Sequence, residues 1–139
     1  MQENRAVFDA NIWISFFLNS KMKEIVAMMV NGGIDIFRCK DLTDELNDVL
    51  NRPKIQKNLS HTVKDCINIY ELSTTSVRIS HKFTGCRDPK DNYLFDLAVS
   101  ANAKYIVSGD RDVRETKNDL GVETVSLTRF KEILRNRNN

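Results

Sequence analysis

Five aspartates lie in the stretch from Arg87 to Asp112, a density that raises the prospect of metal chemistry. Carboxylate oxygens are the ligands that Mg²⁺ and other hard cations prefer. Taken singly, an aspartate before a helix or in a turn is more typical of a cap than of a site. The chemistry therefore depends on whether several carboxylates converge. The five are Asp88, Asp91, Asp96, Asp110 and Asp112.

The first three of these aspartates belong to a predicted helix. Asp88 followed by Pro89 is typical of an N-cap and first helical position. Helical periodicity places Asp91 on the inward, apolar side and Asp96 on the opposite side, facing solvent. An inward carboxylate is costly to bury unpaired, and no Lys or Arg shares its side of the helix. A cation from solution is the partner that this pattern predicts. The apolar side comprises Leu94, Phe95, Leu97, Ala98 and Ala101.

Two further acids follow predicted buried strands. Tyr105–Val107 is followed by Ser108 and Asp110, and Arg5–Phe8 is followed by Asp9. In open α/β sheets, ligands bind at the carboxyl ends of the strands. Asp9 and Asp110 should meet there, with Asn11 close enough to supply a neutral oxygen.

The remaining pattern alternates helices and strands. It predicts helices over 21–31, 41–50 and 62–72, strands over 34–38, 76–80 and 123–127, and a last helix capped by Thr128. Glu45 lies at the margin of the apolar side of the second of these helices. This order favours one α/β domain over 1–139, with a mainly parallel sheet flanked by helices. Asp9, Glu45, Asp91 and Asp110 would then come from four distant segments to one edge.

Composition narrows the class of protein. The chain has 139 residues, of which 41% are hydrophobic and 29% charged, with a net charge of +2. No apolar run is long enough for a transmembrane helix and no signal peptide is evident, so a cytoplasmic protein is expected. Three widely spaced cysteines indicate reduced thiols, and two isolated histidines give little support to a histidine-based site. Acids gathered in one site would leave a basic surface around it, which suits a polyanion.

A carboxylate cluster of this kind selects Mg²⁺ or Mn²⁺. Two such ions roughly 4 Å apart can activate water and stabilise both oxygens of a phosphodiester displacement. The sequence leaves open whether one or two ions bind.

Four segments in order carry a family resemblance: VFDANIWIS, DELNDVLNRPKI, RDPKDNYLFDLAVSANAKYIVSGDRD and ETVSLTRF. The chain resembles PIN-domain proteins, metal-dependent ribonucleases that include VapC-like toxins. The resemblance implies a three-layer α/β/α sandwich with metal-binding acids at Asp9, Glu45, Asp91 and Asp110. It makes Asp112 a fifth contributor, Asn11 and Ser108 supporting polar groups, and Asp88 an accessory acid. Ser108 stands where the family usually has Thr, and it keeps the hydroxyl.

The leading hypothesis is a Mg²⁺- or Mn²⁺-dependent endoribonuclease, which could act as the toxin of a toxin–antitoxin pair. Likeness to toxins implies a cognate antitoxin, and homodimers are common in the family. A non-catalytic RNA-binding or partner-sequestered module is the alternative. A phospho-accepting receiver domain is a third interpretation, disfavoured because its acids lie close together early in the chain. Residues expected to position the RNA backbone are Arg52, Lys54, Lys90, Arg111 and Arg114.

Overall fold

Five strands form one parallel sheet in the computed structural model, which describes residues 1–137. The strand order is β3-β2-β1-β4-β5, and every neighbouring pair is parallel. The strands are β1 (Gln2–Phe8), β2 (Asp35–Arg38), β3 (Thr75–Ser76), β4 (Ala103–Val107) and β5 (Glu123–Val125). The helices are α1 (Ala10–Leu18), α2 (Met22–Val30), α3 (Lys40–Leu50), α4 (Pro53–Gln56), α5 (Val63–Leu72), α6 (Asn92–Ser100), α7 (Arg111–Arg114) and α8 (Leu127–Arg137).

The sheet is covered on both faces. Successive strand residues point to opposite faces, and neither Val7 nor Phe8 of β1 is exposed at all. The ring of Phe8 packs against Trp13 of α1 and Phe130 of α8, with ring centroids 6.0 and 5.8 Å away. This layering confirms the predicted α/β sandwich with a parallel sheet. Among residues 1–137, no helix has the length and apolar character needed to cross a membrane.

The strand order also tests the interpretation of the chain as a phospho-accepting receiver domain. Receiver domains have the order 2-1-3-4-5, whereas this sheet places its third strand at the edge beside β2. The receiver interpretation is therefore wrong.

Three local predictions are wrong, each for a physical reason. The strand expected over 76–80 is limited to Thr75–Ser76, because the chain leaves the sheet edge after pairing with β2. The last helix begins at Leu127, and the hydroxyl of Ser126, not that of Thr128, accepts the bond from the amide of Arg129 at 3.1 Å.

Asp96 is the third of these corrections and the most informative for the site. It was expected to face solvent, yet it is only 7% exposed. Its Oδ1 accepts hydrogen bonds from the backbone amides of Lys82 at 3.1 Å and Phe83 at 3.0 Å. The irregular segment between β3 and α6 therefore lies across the polar side of α6, and this buried carboxylate fastens it there.

Candidate active site

Two polar residues leave the sheet side by side. Phe8 of β1 is in register with Val107 of β4, so Asp9 and Ser108 are the next residues on adjacent parallel strands. The hydroxyl of Ser108 donates to Oδ2 of Asp9 and accepts from the amide of Asp110 at 3.0 Å. Ser108 is completely buried. Its hydroxyl thus connects the acids that follow the two central strands.

Asp9 is a nearly buried carboxylate that also starts a helix. It is 6% exposed, and its Oδ1 accepts from the amide of Ile12 at 3.0 Å as the N-cap of α1. Burial raises the pKa of Asp9, while the hydrogen bonds from Ser108 and Ile12 oppose that rise. Repulsion from Glu45 and Asp110 adds to it.

Asp110 is positioned by the turn that follows β4. It caps the four-residue helix α7, and its Oδ1 accepts from the amide of Asp112 at 2.9 Å. It is half-buried. One of its two oxygens is thus fixed by the backbone, as in Asp9, and the carboxylate stays at the sheet edge.

Asp91 ends a short 3₁₀ turn, Pro89–Asp91, which leads into α6. Asp88 caps this turn by accepting from the amide of Lys90 at 3.0 Å, so its predicted capping role is confirmed. Burial, followed by repulsion from Asp110, Asp88, Glu45 and Asp9, raises the pKa of Asp91 to about 6. A carboxyl whose pKa is raised in this way by burial and by several neighbouring charges is a functional-site candidate.

Glu45 reaches the group from α3, and a tyrosine holds it. The hydroxyl of Tyr93 in α6 donates to Oε2 of Glu45. Tyr93 is 7% exposed while Glu45 is exposed, so a buried donor orients an exposed acid. Sequence patterning missed Tyr93, because a tyrosine within an apolar helix gives no sign of the residue that its hydroxyl meets.

Asp9, Glu45, Asp91 and Asp110, hereafter the acidic site, therefore converge from four separate segments. Besides burial, repulsion from Glu45 and Asp110 raises the pKa of Asp9, which requires that these groups lie near one another. Burial and repulsion from Asp110, Glu45 and Asp9 likewise raise the pKa of Asp91. Within residues 1–137, no Lys or Arg forms an ion pair with any of the four. The fold thus accumulates negative charge at one edge of the sheet and provides no internal counterion for it.

The carboxylate oxygens of the acidic site are the type of ligand that a divalent cation prefers, but they do not surround one common position. In the described part of the chain, no three His, Cys, Asp or Glu side chains are close enough together to hold a metal ion. Mg²⁺ keeps several waters and is usually bound through one or two carboxylates together with substrate phosphates. An open, all-oxygen group of four carboxylates fits that mode of binding better than a fully enclosed site.

The other predicted residues lie at the edge of this group. Asn11 is exposed at the start of α1. Exposed Asp112 pairs with Arg87, with 3.6 Å between Oδ1 and Nη1, so its contribution to metal binding stays a prediction.

Most of the predicted RNA-positioning residues have partners within the chain. Arg52 pairs with Asp48 at 3.3 Å and Arg111 with Glu115 at 2.7 Å, both on exposed helix surfaces. Such pairs contribute little to stability, so phosphates can replace the carboxylates. Arg114 instead donates to the carbonyl of Ser108 at 3.1 Å and supports the turn beneath Asp110. Lys54 and Lys90 are exposed.

The comparisons with known proteins agree with this geometry. The family model described as PIN domain (PIN_3) matches residues 5–112, a range that contains all four acids. No curated protein matches the chain. The chain belongs to the PIN-domain family, a family of nucleases.

Proposed function

We propose that this PIN domain is a Mg²⁺- or Mn²⁺-dependent endoribonuclease. The observation that carries the proposal is the acidic site: four carboxylates from four segments converge, and within residues 1–137 none of them is paired with a Lys or Arg. Unpaired carboxylates in one site repel one another, and a bound cation relieves that repulsion. Cation binding is therefore favourable for this group. Asp9, Glu45, Asp91 and Asp110 would hold the metal, and Asp112 would adjoin it.

A bound divalent ion supplies an activated water and stabilises negative charge on a phosphodiester. The chain's own residues provide the positioning. Ser108 fixes the carboxylate of Asp9, and Tyr93 fixes that of Glu45. The exposed cations Arg52, Lys54, Lys90 and Arg111 would bind RNA phosphates.

Cleavage of labelled single-stranded RNA in Mn²⁺ and in EDTA tests this function, with Asp9→Asn compared with wild type. Asparagine is as good an N-cap as aspartate, so the bond from the amide of Ile12 is retained and the variant should fold. We expect EDTA-sensitive cleavage by wild type and by Asp65→Asn, an exposed acid of α5 that serves as the control. Asp9→Asn should cleave at least 100-fold more slowly. Equal rates for Asp9→Asn and wild type would refute the assignment.

One observation favours a second function, an RNA-binding or partner-sequestered module without turnover. In residues 1–137 no three acids already lie at metal-ligand spacing. If wild type showed no RNA cleavage and neutralising the acidic site strengthened RNA binding, this second function would replace the first. The cognate antitoxin, the homodimer and the role as a toxin are further proposals that rest on resemblance to the family.

A further inference from the structure

A small cleft lies directly beside the acidic site. It has a volume of about 240 Å³ and is bordered by the start of α3, the irregular segment after β3 and the start of α6. Tyr93 joins the two features, because it lines the cleft and its hydroxyl donates to Glu45. We call this the base cleft. Its lining includes Asp41, His81, Phe83, Pro89, Asn92 and Tyr93.

The walls of the base cleft are held in place by the fold. Phe83 stacks on Phe95 of α6 with ring centroids 4.4 Å apart and an interplanar angle of 21°. The buried carboxylate of Asp96 binds the amide of Phe83, which keeps that segment against α6. Oδ1 of Asn92 accepts from the amide of Cys86 at 2.9 Å, so its amide NH₂ remains as a donor. The cleft is therefore preformed.

The chemistry of the lining combines flat apolar surface with hydrogen-bonding groups. Half-buried Phe83 and exposed Pro89 are the apolar residues of the lining, Tyr93 adds the small part of its side chain that is exposed, and Asn92 contributes a donor. Nε2 of His81 lies 3.0 Å from Oδ2 of Asp41, which orients the imidazole. The volume is below the roughly 300–1,000 Å³ of typical small-molecule sites, so it suits one planar group. Lys90, exposed at the rim, adds a cation.

We propose that the base cleft binds one unstacked nucleobase of single-stranded RNA, next to the phosphodiester held at the acidic site. This proposal rests on the proposed function. Proteins recognise single-stranded RNA by inserting splayed bases against aromatic side chains and hydrogen-bonding their edges. A base-paired duplex cannot present a base in this way, so the cleft requires an unpaired nucleotide. The half-buried carboxylate of Asp41, which lines the cleft, favours bases with an exocyclic amino group over uracil.

The test measures binding of a fluorescent RNA pentamer by anisotropy in Mg²⁺, using Asp91→Asn so that the RNA stays intact. Each nucleotide is replaced in turn by an abasic one. We expect one position at which loss of the base weakens binding roughly 5- to 150-fold, the range for one stacked base. Uracil at that position should bind more weakly than adenine or cytosine.

His81→Ala identifies the cleft as the place where that base binds. His81 is exposed, so its replacement should not affect folding, and His61→Ala, the other exposed histidine, is the matched control. His81→Ala should weaken binding of the intact pentamer about two- to tenfold, as loss of one hydrogen bond does. It should add nothing further to the abasic RNA, since the two changes remove the same contact. Phe83→Leu should behave in the same way.

Two results would overturn the proposal: no position of the pentamer depends on its base, or His81→Ala and Phe83→Leu bind like His61→Ala. Failure of the proposed function is observed separately. If wild type never cleaves RNA but the base and His81 remain coupled, the base cleft belongs to an RNA-binding module. If wild type cleaves RNA but the coupling is absent, the nuclease stands and the cleft proposal is wrong.

Discussion

Replacing Asp91 by Asn should stabilise the metal-free protein. The folded environment raises the pKa of Asp91 from 3.8 to about 6, so ionising this group costs the folded state free energy at neutral pH. That difference corresponds to about 3 kcal/mol above pH 6. Because Asp91 is only partly buried, solvent screening reduces it to about 1–2 kcal/mol. Asparagine keeps the shape and carries no charge.

The sign of the pH dependence follows from linkage. Between pH 3.8 and about 6 the folded state binds more protons at Asp91 than the unfolded state does, so acidification relieves the destabilisation. The advantage of Asp91→Asn should be full at pH 7.5, about half as large at pH 5, and absent below both pKa values. Urea unfolding in EDTA measures it directly. Asp119→Asn, an exposed acid, should change the unfolding free energy by less than about 0.5 kcal/mol.

Metal should reverse the order of stability. A cation that binds only the folded wild type adds about 2.7 kcal/mol at 100 times its Kd. Wild type should therefore be less stable than Asp91→Asn in EDTA and more stable in saturating Mn²⁺. If Asp91→Asn is no more stable than wild type in EDTA at pH 7.5, or if its advantage does not change with pH, the reasoning about mutual repulsion is refuted.

Three other variants probe the residues around the acids. Tyr93→Phe should weaken Mn²⁺ binding about 10–100-fold in calorimetry, because Glu45 loses the hydroxyl that orients it. Tyr70→Phe, also buried, is the control. Equal Kd values for Tyr93→Phe and wild type would contradict this prediction. Ser108→Ala should lower the unfolding free energy at pH 7 by about 1–3 kcal/mol, since it removes a donor to the buried carboxylate of Asp9; an unchanged urea midpoint would contradict it. Asp96→Ala should speed amide exchange at Lys82 and Phe83, whereas Asp96→Asn, which keeps an acceptor, should not; equal protection in both would contradict it.

The sequence was sufficient to predict which acids lie at the sheet edge, because the end of a buried strand can be recognised from the local sequence. Asp9 and Asp110 each follow a buried strand, and parallel pairing carries both to one edge. Asp96 could not be predicted in this way. Helical periodicity separates inward from outward positions, but it does not reveal that the segment around Phe83 returns to cover the outward side.

The contact between Tyr93 and Glu45 could not be predicted from the sequence either. It joins residues of α6 and α3, and only the packing of those helices brings them together. The start of α8 was misplaced because Ser126 and Thr128 are both good caps, and the choice depends on where β5 ends.

The most direct test of the acidic site is a calorimetric titration of Mn²⁺ into wild type and into an Asp91→Asn, Asp110→Asn double variant. Both acids contribute to the repulsion and neither is paired with a cation within residues 1–137. Saturable binding by wild type, lost in the double variant while its urea midpoint in EDTA is maintained or raised, is the predicted result. Equal Mn²⁺ binding by both proteins, or none by wild type, would contradict a metal site built from these carboxylates.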